Sequence, residues 1–188
     1  MPGNPFFSRP SWRERLVRDL TGQILEIGVG KGENLPHYRQ AAAVWGIEPH
    51  PERARAAADR AQEARRPAHV IVAPAERLPF PDHSFHTVVS SLVFCSVRDP
   101  EQALMEIQRV LKPGGQLLMV EHVRPSTPAL ARLFERITPW WSRIAHNCHL
   151  DRPTLEMLKE RGWRVELFER RSVFVKLRAQ PGAQRPDR

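Results

Sequence analysis

Apolar residues along the chain fall into two alternating patterns. Short continuous apolar runs bounded by polar, glycine or proline residues are typical of buried strands, and longer stretches with apolar residues three or four apart are typical of helices. The short runs predict strands at 24–27, 44–47, 69–73, 87–91, 116–121, 164–168 and 172–177, and the helical pattern occurs at 51–65, 101–111 and 153–161. This alternation predicts an α/β fold, a doubly wound parallel sheet with helices on both faces.

The last two strands depart from the alternation. Only a short charged turn separates 164–168 from 172–177. A parallel crossover needs a dozen or more residues, so these two strands must pair antiparallel. The sequence therefore predicts a mostly parallel sheet that ends in an antiparallel strand.

Two amphipathic segments flank or interrupt the predicted domain at 22–179. Residues 1–21 are expected to form a helix that covers the functional site, with an anionic bilayer as the alternative partner for its apolar face. Residues 125–150 are interpreted as an inserted lid whose helical stripe is broken at Pro139 and either encloses an apolar acceptor or packs in the core. Residues 180–188, rich in proline and charge, predict a disordered tail. The lid stripe comprises Leu130, Leu133, Phe134, Ile137, Trp141 and Ile144.

The composition indicates one folded soluble domain. A length of 188 residues allows a single well-buried core, and the chain is 41% hydrophobic and 27% charged. No apolar run is long enough to span a membrane, and the first residues lack the pattern of a secretory signal. Two cysteines, Cys95 and Cys148, without a CxxC pair suit a reducing compartment, so we expect a cytoplasmic protein with free thiols.

The net charge of +8 invites a nucleic-acid partner, because basic surfaces gather phosphates. The arginines, however, are scattered along almost every segment, and no RNA-binding or helix-turn-helix motif accompanies them. Compositional bias explains the charge better. We therefore do not expect a nucleic-acid partner.

A glycine-rich loop, EIGVGKG at 26–32, follows the first predicted strand. Gly28, Gly30 and Gly32 can adopt positive φ and allow a ligand to approach the backbone. The loop lies where a buried strand is expected to pass into a helix, and ligands of parallel sheets bind at the carboxyl ends of the strands. These features predict a cofactor loop.

Two kinds of adenosine cofactor, a dinucleotide and S-adenosylmethionine, are candidates for this loop. A dinucleotide motif, G-x-G-x-x-G, requires glycine at position 33, where this chain has Glu33. A carboxylate is unfavourable beside a pyrophosphate, whereas S-adenosylmethionine (SAM) carries a sulfonium and an ammonium that tolerate acids such as Glu33 and Glu26. Glu48 ends the next strand about twenty residues after Gly28, where a carboxylate can accept hydrogen bonds from both ribose hydroxyls. The loop therefore favours SAM.

Five motifs in order carry a family resemblance: EIGVGKG, GIEPHP, AERLPFPDHSF, RVLKPGG and LMVEHV. Together they resemble the successive motifs of the class I SAM-dependent methyltransferases over about residues 22–170. The resemblance implies a Rossmann-like, seven-stranded sheet with a reversed last strand, SAM as cofactor and S-adenosyl-L-homocysteine as product. It also implies that the loop glycines lie beside the methionine part of SAM, Glu48 holds the ribose and the Ala75–Glu76 turn flanks adenine. The implied cofactor-binding residues are Glu26, Gly28, Gly30, Gly32, Glu48, Pro49, Ala75, Glu76, Ser91 and Leu92.

Two positions depart from the family pattern. Pro74 stands where relatives usually carry an acid or amide, so adenine recognition would depend on the backbone or on Glu76. His86 replaces a common aspartate after Ser84-Phe85, a change that can alter a turn without touching catalysis.

The acceptor side resembles a narrower branch. The runs SLVFCSV, VEHVR and HNCHLDRPT are similar to small-thiol methyltransferases and bacterial phospholipid N-methyltransferases. Methyl transfer needs alignment and exclusion of water more than a dedicated base, although His122 and His149 could help to deprotonate an acceptor. A structural role for His122 and core packing for Cys95 are the alternatives. His146, Cys148 and His149 resemble a metal cluster but lack a partner pair in the sequence, so no metal site is expected.

These features predict a methyltransferase that acts on a small, partly apolar acceptor, a thiol or a lipid amine. The alternatives are a quinone-precursor C- or O-methyltransferase, a nucleic-acid methyltransferase and a non-catalytic SAM-binding protein. A lipid acceptor would add peripheral contact with the inner face of the membrane. The sequence does not predict the oligomeric state.

Overall fold

The computed structural model describes residues 11–64, 68–125, 127–144, 148–171 and 173–182. Within these residues there are five α-helices and seven strands. The helices are α1 Ser11–Val17, α2 Pro51–Glu63, α3 Pro100–Val110, α4 Pro128–Ile144 and α5 Thr154–Glu160. The strands are β1 Gly22–Ile27, β2 Ala41–Ile47, β3 Ala68–Ile71, β4 Phe85–Ser91, β5 Leu111–His122, β6 Arg164–Arg171 and β7 Phe174–Gln180.

The described strands form one sheet in the order β3-β2-β1-β4-β5-β7-β6. Strands β1 to β5 pair in parallel, and β7 runs antiparallel to both β5 and β6. The predicted antiparallel hairpin is confirmed. Because β1 to β5 are parallel, their carboxyl ends lie along one edge of the sheet, which we call the carboxyl edge. The strand order reverses between β1 and β4, so ligand binding is expected at that point of the carboxyl edge.

Apolar side chains pack on both faces of the sheet. On one face, α3 and α5 contribute buried residues such as Leu104, Ile107 and Leu158 to a cluster with Leu25, Val88 and other strand residues. The backbone N–H of Gln102 donates to the Asp99 carboxylate at 3.0 Å and caps α3. On the opposite face, α1 and α2 pack against the sheet. Burial on both faces explains why the strands of the sequence appear as continuous apolar runs.

The helix expected directly after the glycine loop is absent from the described residues. A single 3₁₀ turn, Leu35–His37, takes its place. The chain must return to the start of β2 within residues 28–40, and Pro36 removes a backbone donor that a longer helix would need. Helix α1 fills the space on this face, because Trp12, Leu16 and Val17 are buried in the same cluster as the 3₁₀ turn.

Salt bridges hold α1 next to the glycine loop. Arg13 pairs with Glu33 at 2.5 Å, and Arg39 pairs with Glu14 at 2.6 Å. The apolar face of α1 therefore lies in the protein core, beside the predicted cofactor site. Residues 1–10, including the rest of the predicted covering segment, lie outside the described residues.

The predicted break at Pro139 is wrong, because α4 runs through this proline. Pro139 lacks the N–H that would donate to the Glu135 carbonyl, but Glu135 is exposed, so solvent can satisfy that carbonyl. The predicted stripe also divides. Leu130, Phe134 and Trp141 are partly buried, whereas Leu133, Ile137 and Ile144 are exposed.

Strand β7 extends to Gln180, whose register partner is Arg164, so ordered pairing reaches into the segment predicted as a tail. Residues 183–188 of that segment lie outside the described residues.

Candidate active site

The glycine loop and Glu48 meet at the carboxyl edge. The Gly30 N–H donates to Glu48 Oε2 at 3.0 Å, and the His50 N–H donates to Oε1 at 3.3 Å. The Val29 N–H donates to the Ile47 carbonyl at 2.9 Å, so the loop is anchored to the end of β2. Glu48 is buried, and Pro49 follows it directly. The two sequence motifs that define a nucleoside site are therefore joined by a hydrogen bond.

The three loop glycines have different structural roles, although each has positive φ. A Cβ at Gly28 would lie 2.5 Å from Val93, and one at Gly32 would lie 2.9 Å from the Ala57 backbone. Close packing therefore requires glycine at both positions. A Cβ at Gly30 would meet no atom nearer than Arg53 at 3.7 Å. Gly30 faces open space beside Glu48, and this is the approach that a ligand needs.

Asn34 connects three parts of the site. Its amide nitrogen donates to Glu26 Oε1 at 2.8 Å and to Ser91 Oγ at 3.1 Å, and its oxygen accepts a bond from Arg13 at 2.9 Å. The Tyr38 hydroxyl donates to the second Glu26 oxygen at 2.8 Å. The end of β1, the end of β4 and α1 are thus held together by one side chain.

Burial raises the pKa of Glu26 to about 7, although the hydrogen bonds from Tyr38 and Asn34 act in the opposite direction. A raised carboxyl pKa means that the folded state binds this proton more tightly than the unfolded state. The stability from this proton is fully present below the unfolded pKa of 4.5 and is lost as the pH rises through 7. A cationic ligand beside Glu26 would favour its charged form, so binding of such a ligand should release a proton near pH 7.

Glu26→Gln is therefore expected to remove part of the pH dependence of stability. The free energy of unfolding of the wild type should fall between about pH 4.5 and pH 7 by about 3 kcal/mol more than that of the variant. Urea unfolding across this range measures the difference, and Glu52→Gln, at an exposed position in the first turn of α2, is the control. Parallel curves for the wild type and Glu26→Gln would contradict the assigned pKa.

Leu92 is one of the two non-glycine residues with positive φ among the described positions, and its φ is 61°. This conformation is unfavourable for a branched side chain and often marks functional sites. The Leu92 N–H donates to the Val120 carbonyl at 2.7 Å. The buried Glu121 Oε1 accepts bonds from the Ser90 hydroxyl and from the Val93 N–H, the latter at 3.0 Å. Strand β5 thus fixes the loop that follows β4.

The two predicted catalytic histidines, His122 and His149, lie next to the two cysteines of the chain. His122 Nδ1 is 3.9 Å from Cys148 Sγ, and the backbone N–H of His149 donates to the Cys95 carbonyl at 2.7 Å. Cys95 is buried and its Sγ lies 3.8 Å from the Leu92 carbonyl. The segment that carries Cys148 and His149 is therefore bound to the loop that follows β4. His146 lies outside the described residues.

The predicted adenine side is less closely connected to the loop. Glu76 Oε1 accepts bonds from the backbone N–H groups of Arg98 and Asp99, at 2.9 and 3.2 Å. This carboxylate therefore holds the segment before α3, and adenine contact by Ala75 and Glu76 stays a prediction. Pro74 is exposed. His86 lies at the opposite edge of the sheet, where its Nδ1 accepts a bond from the Gln23 N–H at 3.0 Å.

A groove of about 710 Å³ lies between α3 and α5, and its lining residues include none of the predicted site residues. Its walls come from the start of α3 and the two residues before it, and from α5 and its flanking residues, and they include no residue of the glycine loop. We do not assign the cofactor to it.

Asn34, Tyr38 and the structural role of Glu121 were not predicted from the sequence. A polar run directly after the glycine loop was the available signal for Asn34 and Tyr38. For Glu121 the signal was a single acid inside the apolar run of β5, because a charged residue there must be paired or protonated.

Comparisons with known proteins agree with this geometry. A family profile described as a methyltransferase domain matches residues 25–119. The chain is similar to thiol S-methyltransferase TMT1B of Rattus norvegicus, with 37% identity over 147 residues, 73% of this chain and 60% of that protein. It is also similar to phosphatidylethanolamine N-methyltransferase of Cereibacter sphaeroides, with 34% identity over 148 residues, 74% of this chain and 72% of that protein.

The YcgJ protein of a Bacillus species has a similar solved structure. Its TM-score is 0.72 at 23% identity, and the match covers 84% of this chain and 68% of that one. This likeness concerns the fold. The chain spans only about 60% of the length of the rat thiol S-methyltransferase.

Proposed function

The chain belongs to the class I SAM-dependent methyltransferases, and from that premise we propose that it transfers a methyl group from SAM to a small, partly apolar thiol. The observation that carries the proposal is the hydrogen-bonded pair of Gly30 and Glu48 facing open space at the switch point of the sheet. A relative that is a thiol S-methyltransferase supports the acceptor class.

The residues at the carboxyl edge fit the cofactor. SAM supplies a methyl group already activated by a sulfonium. The buried Glu48 can accept bonds from the ribose hydroxyls, and Glu26 can balance the positive charge of the methionine part. The loop at Gly30 lets the ligand approach the backbone, and the fixed end of β4 at Ser91 and Leu92 closes the other side.

Catalysis by this site would depend mainly on alignment. An in-line displacement requires the nucleophile to lie behind the methyl carbon with water excluded. His122 and His149 lie at the carboxyl edge, beside the Cys95 and Cys148 segments, and could receive or direct the proton of the acceptor.

A lipid amine is the second candidate acceptor, because the chain covers 72% of a phosphatidylethanolamine N-methyltransferase. The outer face of α4 supports this candidate. Four apolar side chains at helical spacing are exposed there: Leu133 (52%), Ile137 (39%), Trp140 (65%) and Ile144 (60%). Arg132, Arg136 and Arg143 are also exposed, and helical geometry places them on one flank of this stripe.

An acceptor panel separates the candidates. The protein is incubated with methyl-labelled SAM and, in separate tubes, with small alkyl thiols, phosphatidylethanolamine vesicles or quinone precursors. Label on the thiol is the expected result. If only the lipid or the quinone precursor is labelled, that compound is the acceptor and the proposed thiol acceptor is wrong. If every tube stays blank while the protein binds SAM, the proposal of methyl transfer to a small acceptor fails.

We further propose that the exposed stripe of α4 docks on an anionic membrane surface from the cytoplasmic side. None of the helices in the described ranges is long and apolar enough to cross a bilayer. An apolar stripe flanked by arginines is instead typical of a helix that lies in the plane of the interface.

The double substitution Trp140→Ser and Ile144→Ser should weaken binding to anionic vesicles by roughly 10-fold or more, because each apolar side chain loses its burial in the lipid. Vesicle co-sedimentation measures the effect. Leu167→Ser, at an exposed apolar position on β6, is the matched control. Equal vesicle binding by the wild type and the α4 variant would exclude docking through this stripe.

A further inference from the structure

Three side chains far apart in the sequence converge at the carboxyl edge. Cys95 follows β4, His122 ends β5 and Cys148 precedes α5, yet the two Sγ atoms and one ring nitrogen of His122 all lie within 4.8 Å of one another. Both cysteines are buried. Around a tetrahedral zinc ion, such ligand atoms are about 3.5–3.8 Å apart. His122 Nδ1 and Cys148 Sγ, at 3.9 Å, are already near that separation.

The surroundings fix these side chains and balance their charge. The His122 ring packs on Phe174 with centroids 4.2 Å apart. Arg152 donates to the Phe94 carbonyl at 2.8 Å. This bond joins the segment that contains Cys148 to the segment that contains Cys95. Two thiolates would cancel the charge of a divalent ion.

A carboxylate oxygen of Glu121 gives a second indication that a ligand belongs here. Glu121 Oε1 accepts bonds from Ser90 and Val93, and the Phe94 backbone N–H also interacts with this carboxylate, but the buried Oε2 has no partner in hydrogen-bond geometry among the described residues. Buried polar atoms in native proteins nearly always have a hydrogen-bond partner. An ion, or a water bound to that ion, would provide the partner that Oε2 lacks here.

We propose that Cys95, His122 and Cys148 bind a soft divalent metal ion such as Zn²⁺ and that the thiol acceptor takes the fourth coordination position. Three protein ligands with one open position are the arrangement of catalytic zinc sites, whereas structural sites have four. Nitrogen and thiolate ligands select zinc over magnesium or calcium. The second part of this inference rests on the proposed thiol methyltransferase function.

With the metal bound, coordination would hold the acceptor as a thiolate, so His122 would act as a ligand and would not need to receive the acceptor proton. On coordination the acceptor R–SH loses its proton to solvent. The thiolate electron pair forms a bond to the methyl carbon, the bond from that carbon to the sulfonium sulfur breaks, and its electron pair remains on that sulfur. The product R–S–CH₃ is a neutral thioether, a weaker ligand that can leave. Cys95 Sγ lies 3.8 Å from the carbonyl of Leu92, a predicted cofactor residue, so the cluster adjoins the cofactor site.

Cobalt titration tests the site directly. The protein is reduced with a phosphine, treated with a chelator and titrated anaerobically with Co²⁺, which gives thiolate-to-metal charge-transfer absorption when cysteines bind it. We expect saturation at an equimolar amount of Co²⁺ and displacement by Zn²⁺. Cys148→Ser and His122→Ala should each weaken binding by roughly 10-fold or more. His69→Ala, at an exposed position on β3, should bind as the wild type does.

The fourth position is tested on the same cobalt-loaded protein. Adding 2-mercaptoethanol should increase the charge-transfer absorption, because a third sulfur joins the metal, and ethylene glycol should not. Absence of the charge-transfer band in the wild type, a band unchanged in Cys148→Ser, or a Cys95–Cys148 disulfide as the stable state would overturn the metal site. A band that does not respond to 2-mercaptoethanol would overturn the acceptor position. Methyl transfer is assayed separately, so a thiol response without transfer supports this inference while the proposed function fails.

Discussion

Replacing Gly30 with arginine is expected to abolish SAM binding, lowering the affinity by at least roughly 100-fold, or about 3 kcal/mol. Gly30 faces open space, so the new side chain would occupy the ligand volume and place a cation beside Glu48, the acceptor predicted for the ribose. It would also have to adopt positive φ, which is unfavourable for any side chain with a Cβ.

Gly114→Arg is the matched control. Gly114 has φ +78° and no atom within 4 Å of a built Cβ, so this substitution has the same backbone strain without blocking the site. Calorimetric titration with SAM and circular dichroism of both variants separate the two effects. If Gly30→Arg keeps its fold and binds SAM as Gly114→Arg does, the cofactor does not lie against Gly30.

Glu48→Ala is expected to weaken SAM binding by roughly 100-fold, because a charged acceptor contributes about 1.5–3 kcal/mol per hydrogen bond and the ribose offers two donors. The substitution also leaves the Gly30 and His50 N–H groups without their acceptor, so the loop itself should loosen.

The same titration measures this effect, with Glu52→Ala in the first turn of α2 as the control. A carboxylate at the surface should change the affinity little. Glu48→Gln keeps one acceptor oxygen and should fall between the wild type and Glu48→Ala. Wild-type affinity in Glu48→Ala would remove Glu48 from the ribose site.

The sheet and the cofactor loop could be predicted from the sequence because both depend on local patterns. Buried parallel strands produce continuous apolar runs, and the glycines of the loop stand at fixed offsets from the end of β1. The place of Glu48 beside the loop could also be predicted, because the end of β2 lies beside the end of β1 in a doubly wound sheet. The antiparallel pairing of β6 and β7 could be predicted from the length of the turn between them, which is too short for a parallel crossover.

Other parts of the site depend on contacts between residues distant in the sequence. Asn34 joins Glu26 to Ser91, and no spacing rule connects positions 34 and 91. The metal cluster considered at 146–149 contained Cys148, and the structure places that thiol beside Cys95 and His122, which are distant from it in the sequence. Such convergence depends on how loops fold over the carboxyl edge, and sequence spacing contains little information about it.

The burial of the surface helix α4 could be predicted only in part from the sequence. Its apolar periodicity was readable, but periodicity alone cannot say which half of a broad stripe is covered by the protein. Thr138 and Ala131 face inward, and Trp140 faces outward at 65% exposure. The course of α4 through Pro139 was also not predictable, because the sequence does not say whether water can reach the Glu135 carbonyl that Pro139 leaves without a donor.

A crystal structure of the protein with S-adenosyl-L-homocysteine tests the central claim most directly. The predicted result is one bound molecule at the switch point of the sheet, with the ribose hydroxyls within hydrogen-bond distance of Glu48 and the homocysteine part against the loop at Gly30. Density for the ligand at the groove between α3 and α5, or no binding to a folded chain at saturating ligand, would contradict the assignment of this loop as the cofactor site.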